Sequence, residues 1–173
     1  MTMAPRLRKL ALTAHIISSV GWLGVVAGFL GLAVVGIISE DAQTVRGVYL
    51  VMEPTAWYVL VPLAVASLLT GLVQSLGTPW GLFRHYWVVT KLLINVASTI
   101  ILLTYMQTFS FMAGVAADPS ADVDLVRNMS PVIHATLAML GSLVATTLSV
   151  FKPRGLTRYG WRQQQERPTV SRP

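Results

Sequence analysis

Four apolar stretches, each long enough to cross a lipid bilayer, leave this chain few folds to choose from. A hydrocarbon core of about 30 Å takes roughly 20 helical residues, and residues 10–38, 56–76, 87–115 and 131–151 each meet that length. Between them, 39–54 and 116–130 hold most of the acids, and 77–86 carries Pro79, two glycines and three aromatics. These read as loops. Short connections between long helices imply an all-α, up-down-up-down antiparallel four-helix bundle integral to the membrane. The helical domain would take residues 1–158, and the polar segment 159–173 is expected to be a poorly ordered tail.

Direction follows from the basic residues, because cytoplasmic flanks retain Lys and Arg. With the N-terminus inside, eleven of the thirteen fall on one side (Arg6, Arg8, Lys9, Arg84, Lys91, Lys152, Arg154, Arg158, Arg162, Arg167 and Arg172), leaving Arg46 and Arg127 on the other. Both termini are therefore expected in the cytoplasm, and the chain in the inner (plasma) membrane as a multi-pass protein. Six of the seven acids lie on the opposite side. The first apolar run is too long for a signal-peptide core and lacks a clear small-residue cleavage site. Interfacial aromatics are expected at Tyr49, Trp57 and Tyr58 outside, and at Trp80, Phe83, Tyr86, Trp87, Tyr159 and Trp161 inside.

The net charge of +6 would suggest nucleic acid in a soluble protein, but only with the cations gathered on one exposed face. Here they sort by membrane side, so nucleic acid is not an expected partner; the lipid bilayer is. With no cysteine, thiolate metal sites and cysteine nucleophiles are excluded. The chain also lacks a glycine-rich phosphate loop, a nucleophile elbow and paired carboxylates in an apolar segment.

Polar residues inside apolar spans mark the faces that meet in the bundle. His15, Ser18, Ser19 and Trp22 share one side of the first span, beside Gly21, Gly24, Gly28 and Gly31. Those glycines suit tight helix packing or a flat slot for a planar ligand such as a porphyrin. Ser67, Thr70, Gly71 and Gln74 share a face of the second span, and Lys91, Asn95 and Ser98 of the third. All lie in the cytoplasmic half and could line one pocket. An ionisable group within a membrane is costly enough to mark a functional site, though Lys91 is shallow enough to snorkel and His15 could simply bond a neighbouring helix. His134 lies about one turn below the outer boundary. Met52, Met106, Met112 and Met129 are expected in the same half, with Glu53 beside Met52. Thioethers with imidazole suit Cu(I), and a His/Met pair suits haem iron, although methionine is also ordinary core filler. At 1.5 Å of rise per residue, roughly 15 Å separates the levels of His15 and His134. One iron would not join them, so if both histidines bind something there are two sites, one near each leaflet, while His85 in the inner loop could approach His15.

Three segments resemble the membrane domain of copper-resistance D (CopD) proteins: Leu69-Thr-Gly-Leu-Val-Gln74, Thr78-Pro-Trp-Gly81 and Trp87-Val-Val-Thr-Lys91-Leu-Leu. The first span, Ala14-His15-Ile-Ile-Ser-Ser-Val-Gly-Trp22, resembles that of HemJ-type protoporphyrinogen oxidases. In those proteins a first-helix histidine is implicated in haem binding, and a later helix has a Trp-x-x-x-Lys-Leu element. Where they carry further helix histidines, this third span has Tyr105 and Met106. The resemblance implies functional positions at His15 and Lys91, with Trp22 as a pocket wall.

Two chemistries are thus expected. The first is a haem b protein transferring electrons to a quinone, a porphyrin or a redox partner protein: His15 would be an axial ligand, Lys91 would pair with a propionate, and His134 would serve an outer site. Ser19, Gln74, Asn95 and His85 would complete the surroundings. The second is copper handling, with Met52, Met129, Glu53 and His134 receiving the ion. A non-catalytic membrane subunit is the third class, and homo-oligomerisation is open to all three.

Overall fold

The computed structural model of the protein describes residues 3–78 and 80–165. It is an all-α bundle: α1 (Pro5–Ile38), α2 (Ala42–Thr55), a π-helical turn (Ala56–Leu60), α3 (Val61–Leu76), α4 (Tyr86–Ala117), a 3-10 turn (Val123–Leu125), α5 (Ser130–Phe151) and α6 (Arg158–Gln165). α2, the π turn and α3 run on as one rod, so four helical rods are long and apolar enough to span a membrane. α1 lies beside α3 and α5, and α4 beside α3, α5 and α2. The result is the antiparallel four-helix bundle that hydropathy implied.

One expected loop is a helix. Residues 42–55 are α2, because Asp41 caps its start: Oδ1 accepts the Gln43 N–H at 3.2 Å and Oδ2 the Thr44 N–H at 3.0 Å. Val45, Val48, Tyr49 and Met52 then fall on one face and are buried, each worth roughly 1.5–3 kcal/mol when withdrawn from water. The rod from 42 to 76 has 35 residues, about 52 Å of helix, some 20 Å more than a bilayer core needs. Its acidic end builds a cap over the bundle. Tyr49, expected at the interface, is instead only 1% exposed, because Gly36 leaves it space and its hydroxyl donates to the Val126 carbonyl at 2.8 Å. Pro54 and Pro62 bracket the π turn. Each lacks the N–H that a regular helix would donate, and the widened turn absorbs the break.

Asp41 yields a prediction. Its carboxyl is held below the usual range, first by the Thr44 hydroxyl and then by the Thr44 and Gln43 amides. The stability this cap lends is fully present above the ordinary carboxylate pKa and is lost as pH falls through the lowered folded value. The gap in thermal midpoint between wild type and Asp41→Ala is therefore expected at neutral pH and should close in strong acid. A gap that persists there would assign the effect to something other than the ionised cap.

Arg46, one of two cations at the acidic end, closes the C-terminus of α4. Its guanidinium donates to the carbonyls of Val115 at 3.2 Å, Ala116 at 3.1 Å and Ala121 at 2.6 Å, and to those of Asp118 and Pro119. Helix ends leave such carbonyls without intrahelical partners, and a cation there also complements the helix dipole.

At the basic end two backbone links tie the chain ends to the turn that precedes α4. The Met3 N–H donates to the Gly77 carbonyl at 3.2 Å. Past α5, Lys152 takes a left-handed conformation at φ 44°, and the chain returns antiparallel to 84–86. The Tyr86 N–H donates to Gly155 at 3.3 Å and the Thr157 N–H to Arg84 at 3.0 Å. The tail expected to be poorly ordered from 159 therefore begins as α6; 166–173 lie outside the described residues.

Candidate functional site

Two candidate regions, a polar seam and an apolar cavity, occupy different levels of the bundle. Near the basic end, a seam joins α1, α3 and α4. His15 Nδ1 lies 3.1 Å from Thr70 Oγ1. Thr70 spends its own proton on the Ala66 carbonyl at 2.6 Å, so it accepts from His15 Nδ1–H and leaves the lone pair on Nε2. Gly71 makes this approach feasible: a Cβ there would stand 3.1 Å from His15 Cε1. Ser18 Oγ lies 3.4 Å from Thr70 Oγ1, and Ser19 and Ser67 hydroxyls meet at 2.8 Å. Asn95 Nδ2 reaches Ser67 Oγ at 3.4 Å.

The expected polar faces thus meet, but not every member joins. Gln74 donates to the Arg8 carbonyl at 3.3 Å, at the exposed edge. Lys91 sets its Nζ 5.3 Å from the Trp87 ring centroid, a cation on an aromatic face at the basic end of α4. His85 stands in an aromatic group, 5.3 Å from Trp80 and 6.3 Å from Trp87 between ring centroids, and its backbone bridges to Leu156. Burial and then the Arg84 cation hold His85 below the usual imidazole value, so it is neutral at neutral pH. Of the four glycines expected to form the stripe, Gly21 alone faces a neighbour, Leu63. A Cβ on Gly24, Gly28 or Gly31 would meet nothing within 4 Å. Neither tight packing nor a slot inside the bundle explains those three, because α1 buries the face of Ser18, Val26, Phe29, Ala33 and Gly36 instead.

The second region is a central cavity of about 400 Å³ between α1, α4 and α5, with Met52 and Leu60 closing one side. That volume is within the range of small-molecule sites, roughly 300–1,000 Å³. Trp22, Phe29, Tyr105, Phe109 and Met52 are among its walls, and His134 is its one imidazole. His134 Nδ1 lies 2.8 Å from the Ser130 carbonyl. A carbonyl only accepts, so Nδ1 carries the proton and Nε2 keeps its lone pair. The ring stacks on Tyr105 with centroids 4.2 Å apart, and the Tyr105 hydroxyl donates to Ser130 Oγ at 2.9 Å. Trp22 Nε1 is buried with no hydrogen-bond partner. The apolar hollow is thus lined by a histidine with a fixed tautomer on α5 and by a tryptophan with an unspent donor on α1.

Of the described methionines, only Met52 shares this cavity. Met106 and Met112 pack in the core at 2% exposure, and Met129 is exposed, off the inner face because it precedes α5. Glu53 takes a hydrogen bond from the Ser110 hydroxyl. Among the described residues no three of His, Cys, Asp and Glu converge as metal ligands. Tyr105 was not among the expected site residues. Its signal was its place on α4, seven residues past Ser98 and on the same face.

Comparison of the chain with protein-family models, with curated proteins and with solved structures found no match.

Proposed function

We propose that the chain is a membrane redox protein that binds haem b in the central cavity, with His134 as its imidazole ligand. The observation that carries this reading is the His134 ring, which lines an apolar, aromatic-walled cavity with its Nδ1–H committed to the Ser130 carbonyl and its Nε2 left with a lone pair. A ligating histidine is held this way: the bond at one nitrogen fixes the tautomer and strengthens the other as a donor. Met52 is the soft side chain of the same cavity, and the donor set fits haem iron. Haem, when bound, would supply one-electron redox chemistry. The protein's part is positional. Tyr105 holds the imidazole plane by stacking, Ser130 holds its tautomer, and Trp22, Phe29 and Phe109 exclude water. His15 acts apart from this cavity, as a hydrogen-bonded member of the seam between α1 and α3.

A quinone is the second reading, favoured by Trp22. A ring carbonyl would accept the unspent indole N–H, and the reduced ring's hydroxyl would donate to His134 Nε2. The two ligands part in one experiment. The detergent-purified protein from haem-replete cells is expected to show a Soret band and a reduced α-band. Both should be lost at least tenfold in His134→Ala and retained in His15→Ala. Colourless protein would sink the haem reading. Quinone in a solvent extract of that sample would then support the second, and bound copper would redirect the assignment to the His134 and Met52 pair.

A further inference from the structure

The walls of the central cavity are not equally covered. On the side of α1, α2 and the π turn, Val26, Phe29, Met52 and Leu60 are buried. On the side of α4 and α5, by contrast, Ala97, Ile101 at 51% exposure and Leu137 at 62% line the same cavity and lie on the outer surface. The hollow is closed at its back and reaches the surface between α4 and α5. Two clasps frame this mouth. Toward the basic end, Gly141 lets the helices lie close, since a Cβ there would stand 3.3 Å from Ile94 Cγ2. Toward the acidic end, the Tyr105 and His134 rings stack at 4.2 Å and the Tyr105 hydroxyl reaches Ser130 at 2.9 Å. Ala97 and Ile101 fall between the clasps on α4, and Leu137 between them on α5. At 1.5 Å of rise per residue, the stretch from Ile94 to Tyr105 begins about 12 Å from the start of α4 and runs for about 16 Å, within a hydrocarbon core of about 30 Å. The mouth opens on acyl chains.

A mouth at this depth selects its guest. A charged molecule is costly among acyl chains, and among the described residues no Lys, Arg, Asp or Glu lines the cavity. The Trp22 indole N–H, on the α1 wall across from the mouth, is buried with no partner and suits a ring carbonyl. We infer that the cavity takes an isoprenoid quinone from within the bilayer, its ring inside and its tail leaving past Ala97, Ile101 and Leu137 into the lipid. The inference rests on the quinone reading of this cavity and adds the route and the tail. A hollow of about 400 Å³ is of small-molecule size, so a long isoprenoid tail has no room beside the ring and needs an exit.

The full chain in detergent would be titrated with long-chain ubiquinone and, separately, with the same ring lacking its tail, and the bound quinone counted by native mass spectrometry. Wild type is expected to retain both. Ala97→Trp/Leu137→Trp, which narrows the mouth from two exposed positions, should lose the tailed quinone about tenfold and keep the tailless ring. Leu143→Trp, exposed on α5 but not a wall of the cavity, should change neither. If the double variant loses its helical circular dichroism, Ala97→Trp alone reads the loss. Tailed and tailless quinones affected alike by the mouth variant, or a loss of equal size in Leu143→Trp, would overturn the mouth and leave the cavity a quinone site reached in some other way. Wild type that retains neither quinone would sink the quinone reading itself, and the inference with it.

Discussion

Replacing Arg46 by methionine is expected to lower the stability of the detergent-solubilised chain by on the order of 3 kcal/mol, the upper worth of hydrogen bonds to a charged group. One guanidinium serves five carbonyls, from Val115 to Ala121, and thereby holds the end of α4 against α2. Lysine should recover little, because a single ammonium cannot span that fan. The check is the unfolding midpoint in a denaturing-detergent titration of wild type, Arg46→Met and Arg46→Lys. A loss below about 0.5 kcal/mol would place Arg46 with ordinary surface cations. The same geometry explains why a cation stands at the acidic end at all.

The second large effect is expected at Gly160. A Cβ there would collide with the Arg84 carbonyl oxygen, and the obstruction is backbone, so no rotamer relieves it. Gly160→Val should push α6 off the turn before α4 and strip the Thr157 links to Phe83 and Arg84. Overpacking of this kind costs about 1–3 kcal/mol, which for a locally opening segment means roughly 10- to 100-fold faster tryptic cutting at Arg158 and Arg162. The remaining spans should keep their helical circular dichroism. Unchanged cleavage would mean that the tail does not depend on this contact.

The spans were legible because hydropathy encodes them directly. The 39–54 segment was not, because its acids and Pro54 outweigh a signal that was present: the Asp41 cap with Thr44 three residues on, then Val45, Val48, Tyr49 and Met52 at helical spacing. The seam of His15, Ser19, Ser67, Thr70 and Asn95 was visible as polar residues in apolar helices, since a hydroxyl or amide there needs a partner on a neighbouring helix. The His134–Tyr105 stack was hidden, because it depends on the relative rotation of α4 and α5. So was the fate of Gly24, Gly28 and Gly31. Spacing gives a stripe but not the direction in which it faces.

The backbone links at the basic end divide the bundle in a way its four spans do not announce. Met3 bonded to Gly77 closes a ring of chain around the first two rods, and Arg84 bonded to Thr157 closes another around the last two. Each ring is a hairpin latched at its open mouth, and between the latches runs only the short turn that carries Trp80 and Gly81. Separation of helices within either ring would break main-chain bonds, whereas parting the rings need disturb only side-chain contacts. The central cavity draws walls from both, Trp22 and Met52 from one and Tyr105 and His134 from the other. The boundary between the rings, held at the acidic end by Arg46 and by the Tyr49 bond to Val126, is therefore the one that a guest in this cavity would touch from both sides.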